Sequence, residues 1–260
     1  MGRKKILFIN PVGHNSWDAA IKEYLEACKN DSTEVDVISL ERGPHHLEYH
    51  FYEALIAADL LKCIKRAEIQ GYDAAVIGCF YDPFLREARE ICRRMVVTAP
   101  AESSLQLAGT LGNSFSIIVG RNKWIPAMRR NVLNYGYGEK LASFRSVGMG
   151  VLEFHEDENV TRARLVEEAR AAVEQDRAEC IILGCTIQFG FFRELQEIIG
   201  VPVIDVVLAP FKRAEYLVDV RDRFGWSVSR VGGFEPPPEE EIVEWGLEDQ
   251  FDMDGLWSKS

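Results

Sequence analysis

The chain has no apolar run approaching the ~18–20 residues that a membrane-spanning helix needs. No apolar signal-like region precedes the first strand, so the expectation is a cytoplasmic protein with no membrane partner. No stretch interleaves aromatic with basic residues. The net charge is −11, and the segment from Glu235 to Ser260, with nine acidic residues and one lysine, carries −8 of it. The nearly neutral remainder argues against nucleic acid as a partner, because phosphate binding needs clustered Lys and Arg. No CxxC pair occurs among the six cysteines, which excludes the usual zinc spacings. The GxxxxGK[ST] phosphate loop is missing, and the five histidines show no metal spacing. His45-His46-Leu47-Glu48 reads best as a solvated loop, and no lysine suggests a pyridoxal phosphate site.

What the chain does have is a repeated ending. Asp73-Ala74-Ala75-Val76-Ile77-Gly78-Cys79 and Ala178-Glu179-Cys180-Ile181-Ile182-Leu183-Gly184-Cys185 are both short apolar runs that close on Gly-Cys. Strand and helix patterns alternate around them. The first half reads as strands over 4–10, 34–40, 74–79 and 95–98. Helices fall over 51–70 and 103–111, behind a first helix capped by Ser16. Asp82-Pro83 marks a further helix start. The second half restarts with strands over 114–120, 143–148, 180–185 and 201–207, and helices over 123–134, 160–175, 189–199 and 209–224. Cys79 and Cys185 lie 106 positions apart, and the same step carries Val97 to Val203. The expected fold is therefore α/β, with two pseudo-symmetric lobes. Each lobe is a mainly parallel sheet flanked by helices, with a cleft between them. The expected boundaries are 1–97 plus 207–234 for the first lobe and 98–206 for the second. The acidic tail, 235–260, is expected to be a peripheral arm or a disordered end.

Ligands of parallel sheets bind beyond the carboxyl ends of the strands, so Cys79 and Cys185 are the leading candidates for chemistry. Two thiols facing one pocket suit removal of a proton from one face of a carbon and return of one to the other. Each precedes an expected helix start, which stabilises an anion by typically ~0.3–1 kcal/mol and lowers a thiol pKa from near ~8.5 by up to about one. One thiolate and one thiol is the expected resting pair; a buried structural role for each cysteine is the alternative. Charge developing on a substrate oxygen needs fixed donors, and the N–H groups of Phe80, Tyr81, Thr186 and Ile187 are candidates. The Thr186 hydroxyl is a donor or a helix cap, and Asn10 a substrate contact or an Asx-turn residue. Arg121 either receives a carboxylate or pairs at the surface. Asp82 is expected to cap the helix that follows it.

Motifs in order along the chain are similar to those of the aspartate/glutamate/hydantoin racemase superfamily, and in particular its hydantoin racemase branch. They include Ile9-Asn10-Pro11, Gly43-Pro44 followed by Glu48, Ile77-Gly78-Cys79-Phe80-Tyr81-Asp82-Pro83, Ala101-Glu102, Leu183-Gly184-Cys185, Gly200-Val201-Pro202-Val203-Ile204-Asp205 and Gly232-Gly233-Phe234. The resemblance implies racemisation by two opposed cysteines, no cofactor and no metal, Asn10 in contact with substrate, and a homo-oligomer. Tyr81, Val12, Gly120-Arg121 and Thr186 depart from the hydantoin pattern at pocket positions. The expected function is cofactor-independent racemisation or epimerisation of a small carbonyl compound, with a 5-substituted hydantoin or related cyclic amide leading. The alternatives are an amino-acid racemase, a maleate-type isomerase, or a non-catalytic small-molecule binding protein.

Overall fold

The computed structural model describes residues 2–253 and 255–257. In its first half lie strands β1 (Lys4–Asn10), β2 (Thr33–Ser39), β3 (Ala74–Ile77) and β4 (Val96–Thr98). The helices of that half are α1 (Asp18–Cys28), α2 (His50–Leu55), α3 (Ala57–Ile69), α4 (Leu85–Ile91) and α5 (Pro100–Leu111). The second half holds β5 (Phe115–Val119), β6 (Leu141–Ser146), β7 (Cys180–Leu183) and β8 (Val203–Ile204), with α6 (Ile125–Asn134), α7 (Glu158–Glu174), α8 (Phe192–Ile199) and α9 (Leu208–Phe224). Short helices α10 (Glu239–Glu244) and α11 (Leu247–Gln250) follow.

Each half forms a four-stranded parallel sheet, and the two orders match: β2-β1-β3-β4 and β6-β5-β7-β8. The central strands β3, β5 and β7 are buried along their whole length, which is why they read as continuous apolar runs and not as alternating ones. Two helices cross between the halves. Helix α5 follows β4 but sets Ala101, Leu105 and Ala108 in one core with Phe115, Ile117 and Ile181 of the second sheet. Helix α9 follows β8 and packs Phe211, Ala214 and Val218 on Ile6, Phe8 and Val76 of the first. In both sheets the strand order reverses direction beside the first strand of the half, so β1/β3 and β5/β7 flank the crevices where α/β sheets bind ligands.

Several local expectations are corrected. The helix expected over 51–70 is broken at Ile56, whose fully buried side chain anchors the junction between α2 and α3. Ser16 caps nothing; its hydroxyl meets His14 Nδ1 at 3.1 Å, and α1 begins at Asp18. The edge strand expected over 143–148 is β6, two residues earlier, because a half-buried strand lacks a sharp apolar signal. The 201–207 segment pairs only over β8. The tail is a peripheral arm: Ile242, Leu256 and Trp257 pack together against Ile91. Asp254 and residues 258–260 lie outside the described residues. No described helix is long and apolar enough to cross a membrane.

Candidate active site

The two Gly-Cys endings leave their strands in the same way. Gly78 N–H donates to Ile9 O at 2.8 Å, and Gly184 N–H donates to Ile118 O at 2.7 Å. A Cβ on Gly78 would stand 2.5 Å from the Phe8 ring, and one on Gly184 would stand 2.8 Å from Ile117 Cγ2. Only glycine lets the chain pass this close to the neighbouring strand. The next side chain, a cysteine in each case, is then delivered to the cleft.

Cys79 and Cys185 line the same cavity. Its main compartment, of about 90 Å³, is walled by Asn10, Pro11, Val12, Trp17 and Ile187, with Val151, Leu152 and a loop bearing His45, His46 and Leu47. At roughly 10–15 Å³ per water this is room for a handful of waters, a small-molecule scale. A smaller compartment of about 50 Å³ adjoins it, walled by Glu48, Phe80, Tyr81, Trp124 and Met128. Both sulfurs, Leu47, Val151 and Thr186 border both spaces. Neither compartment is lined by Lys or Arg.

The electrostatics of the sulfurs differ from the sequence expectation. Neither cysteine sits at an α-helix start: α4 begins only at Leu85, after Asp82 and Phe84 in the left-handed region, and Cys185 leads into a 3-10 turn over 186–188. Burial dominates instead. It pushes the Cys185 thiol up to about 12, against the opposing pull of the Ile187 N–H and with the Glu48 carboxylate adding to the rise. It raises Cys79 further, opposed by the Tyr81 N–H and reinforced by the facing Cys185. Each sulfur therefore meets the N–H two residues ahead. The N–H groups of Phe80 and Thr186, one residue ahead, have no acceptor among the described residues. Burial of this kind favours the neutral form of both thiols over the expected thiolate–thiol pair.

The sequence and the fold match known proteins. The Asp/Glu/Hydantoin racemase family model matches residues 6–214. A hydantoin racemase of Paenarthrobacter aurescens is 34% identical over 244 residues, covering 92% of this chain and 100% of the relative. The chain belongs to the Asp/Glu/hydantoin racemase family. Among solved structures, an allantoin racemase from Klebsiella pneumoniae superposes with a TM-score of 0.84 at 28% identity, covering 90% of this chain and 94% of that one. A glutamate racemase from Francisella tularensis, at 16% identity with a TM-score of 0.60 over 85% of this chain and 82% of that one, shares the fold alone. The protein is an isomerase of the racemase type.

In this racemase the remaining candidates take different positions relative to the sulfurs. Asn10 donates Nδ2 to Asp18 Oδ1 at 2.6 Å, which leaves its Oδ1 as an acceptor at the cavity wall. Thr186 neither caps a helix nor keeps its proton free. Its hydroxyl donates to Gly78 O at 3.1 Å, joining the two Gly-Cys turns. The Phe80 side chain packs into the second-sheet core. The half-buried Tyr81 borders both thiols, and its carbonyl is fixed by Asn131 Nδ2 at 2.6 Å. The Ile187 carbonyl accepts from His155 Nε2 at 2.8 Å. Arg121 lines neither compartment; it stands half-exposed with Nη1 3.5 Å from Glu48 Oε1. Asp82 does cap a helix, but not its own: its carboxylate accepts the N–H groups of Ala101 and Glu102 at the start of α5.

The loop over 45–48 corrects the solvated reading. Leu47 and Glu48 are buried, and the loop forms a wall of the cavity. Its partner is Trp124, 76 positions away, whose Nε1 donates to Glu48 Oε1 at 3.1 Å. No local pattern announces such a contact. Trp17, Trp124, Val151 and Leu152 also escaped the sequence reading. Among the described residues no group of three or more His, Cys, Asp or Glu side chains is arranged to hold a metal ion.

Proposed function

We propose that this racemase inverts the stereocentre of a neutral 5-substituted hydantoin or related cyclic amide, with Cys79 and Cys185 as the acid/base pair and no cofactor. The observation that carries the proposal is one small cavity bordered by both thiols, each with a backbone N–H directed at its sulfur. One sulfur, as thiolate, takes the proton from the stereogenic carbon. The C–H electron pair moves into the adjacent carbonyl, giving an enolate oxygen, for which the unengaged N–H groups of Phe80 and Thr186 are the proposed donors. The opposite thiol delivers its proton to the other face and becomes the thiolate. The enzyme ends each turnover with its protons exchanged and is ready for the other enantiomer.

The cavity chemistry bears on the substrate. A free acidic amino acid or maleate brings two carboxylates, yet no Lys or Arg lines either compartment and Glu48 does. Burying such charges unpaired is costly. A neutral ring with an already acidified C–H avoids that cost and asks less of the ~10²–10⁴-fold that a positioned acid or base supplies. Six unpaired cysteines fit a reducing cytoplasmic setting, and the family resemblance supports a homo-oligomer.

The test uses enantiopure 5-benzylhydantoin in deuterium oxide, followed by circular dichroism and NMR. Cys79→Ala and Cys185→Ala should each lower racemisation by at least about 10²-fold, while one-face exchange of deuterium into a single enantiomer survives. Parental racemisation by either variant would overturn the two-sulfur assignment. Tight binding without turnover by the parent would favour a non-catalytic role.

A further inference from the structure

Glu48 has no part in the proton transfer described above, yet it is a buried carboxylate beside both sulfurs, only 8% exposed. Its surroundings are lopsided. Oε1 receives the Trp124 indole N–H at 3.1 Å and faces Arg121 Nη1 at 3.5 Å. Among the described residues Oε2 has only the His46 ring, with Nδ1 at 3.5 Å. That same Nδ1 faces the N–H of Glu48 at 3.4 Å, and a neutral imidazole nitrogen that accepts one N–H has no proton to donate to Oε2. An ionised carboxylate has about four acceptor positions, and the Trp124 and Arg121 contacts both fall on Oε1. Apart from the two thiols and Thr186, the rest of the smaller compartment is walled mainly by Leu47, Phe80, Tyr81, Trp124, Met128 and Val151.

We infer that Glu48 is a specificity-determining residue, whose carboxylate accepts N–H groups from a neutral polar substituent lodged in the smaller compartment and turns away anionic ones. The inference rests on the hydantoin reading for its geometry. With the stereogenic carbon between the sulfurs, the ring occupies the main compartment, where Asn10 Oδ1 offers an acceptor. The substituent then passes into the smaller compartment and meets Glu48. An amide or ureido N–H donating to a carboxylate makes a charge-assisted hydrogen bond. A substituent carboxylate would set two like charges side by side in a desolvated space, where one must give up its charge or leave. Arg121 offers no relief, because it lies outside the compartment and is already drawn to Glu48 Oε1.

An isosteric ligand pair tests this directly: racemic 5-(2-carbamoylethyl)hydantoin and 5-(2-carboxyethyl)hydantoin, which differ in charge and in N–H donors but hardly in shape. Titration calorimetry on the full chain at pH 7 should give at least about tenfold tighter binding of the amide, equivalent to ~1.4 kcal/mol. In Glu48→Gln the preference should fall to within about threefold or reverse; in Glu48→Asp, which keeps the charge, it should persist. Equal or tighter binding of the acid by the parent overturns the inference without any variant being needed. So does an undiminished amide preference in a folded Glu48→Gln protein. Absence of hydantoin racemisation by a parent that still prefers the amide would instead remove the proposed reaction and leave the role of Glu48 standing.

Discussion

In the proposed two-thiol mechanism, burial of both sulfurs gives a distinctive pH profile. The ratio kcat/KM reports the ionisation of the free enzyme, and in the free enzyme burial holds Cys185 at about 12 and Cys79 above it. At pH 7 the thiolate is then a far smaller fraction than the few per cent of an unperturbed cysteine. Each pH step of one raises the thiolate fraction about tenfold, with no levelling near the ordinary thiol range. Between pH 6 and 8, kcat/KM for a neutral hydantoin should therefore climb about 100-fold with a slope of one. The scarcity of thiolate does not defeat catalysis, because a sulfur of higher pKa is the stronger base and recovers part of what its population loses. Initial rates by circular dichroism, after subtraction of spontaneous racemisation, would give the profile. A plateau between pH 7 and 8.5 would refute the reasoning, since it requires a thiol that burial has not perturbed.

Two further substitutions probe how the turns are held. Gly184→Ala places a Cβ 2.8 Å from Ile117 Cγ2 and 3.0 Å from Ile118 O; overpacking of this kind costs about 1–3 kcal/mol and should lower Tm by roughly 2–12 °C. Equal Tm values for Gly184→Ala and the parent would show that the close approach is not constraining. Thr186→Val keeps the shape but removes the hydrogen bond to Gly78 O; it should cost about 1 kcal/mol in denaturant unfolding and raise KM, and an unchanged midpoint would mean that the bond between the two turns is idle.

The legible and illegible parts of this molecule divide along a physical line. Strands buried on both faces, such as β3 and β7, announce themselves as β-branched runs, and the repeated Gly-Cys ending exposed the pseudo-symmetry and the pair of thiols. Those signals are local. The polarity of the sulfurs is not, because it depends on the whole surroundings: a short segment after Asp82-Pro83 looks like a helix start, yet Asp82 and Phe84 take left-handed conformations and delay α4 to Leu85. The 45–48 loop is polar in sequence and becomes a cavity wall only because Trp124 of the other half receives it. Contacts of that kind depend on how two halves meet, which composition and periodicity within either half do not encode.

How the halves meet also explains why a two-sulfur cavity keeps its width. Helices α5 and α9 each leave one sheet and pack on the other, and each starts on a buried aspartate. The Asp82 carboxylate takes the N–H groups of Ala101 and Glu102 at the head of α5 and the hydroxyl of Tyr135, the residue that closes α6. The Asp205 carboxylate takes those of Val207 and Leu208 at the head of α9, the Gly190 N–H, and the hydroxyl of Tyr24 from α1. In both cases the tyrosine comes from the first helix of the opposite half. Burial raises both carboxyl groups, Asp82 to about 7, so neither is comfortable without its full set of donors. A sliding of one half against the other would strip donors from both aspartates at once. Asp82 lies three residues from Cys79, and Gly190 five residues from Cys185. The same bonds that lock the crossing helices therefore tether the two turns that carry the sulfurs, and the joint between the halves holds the thiol separation together with the Thr186–Gly78 hydrogen bond at the cavity wall.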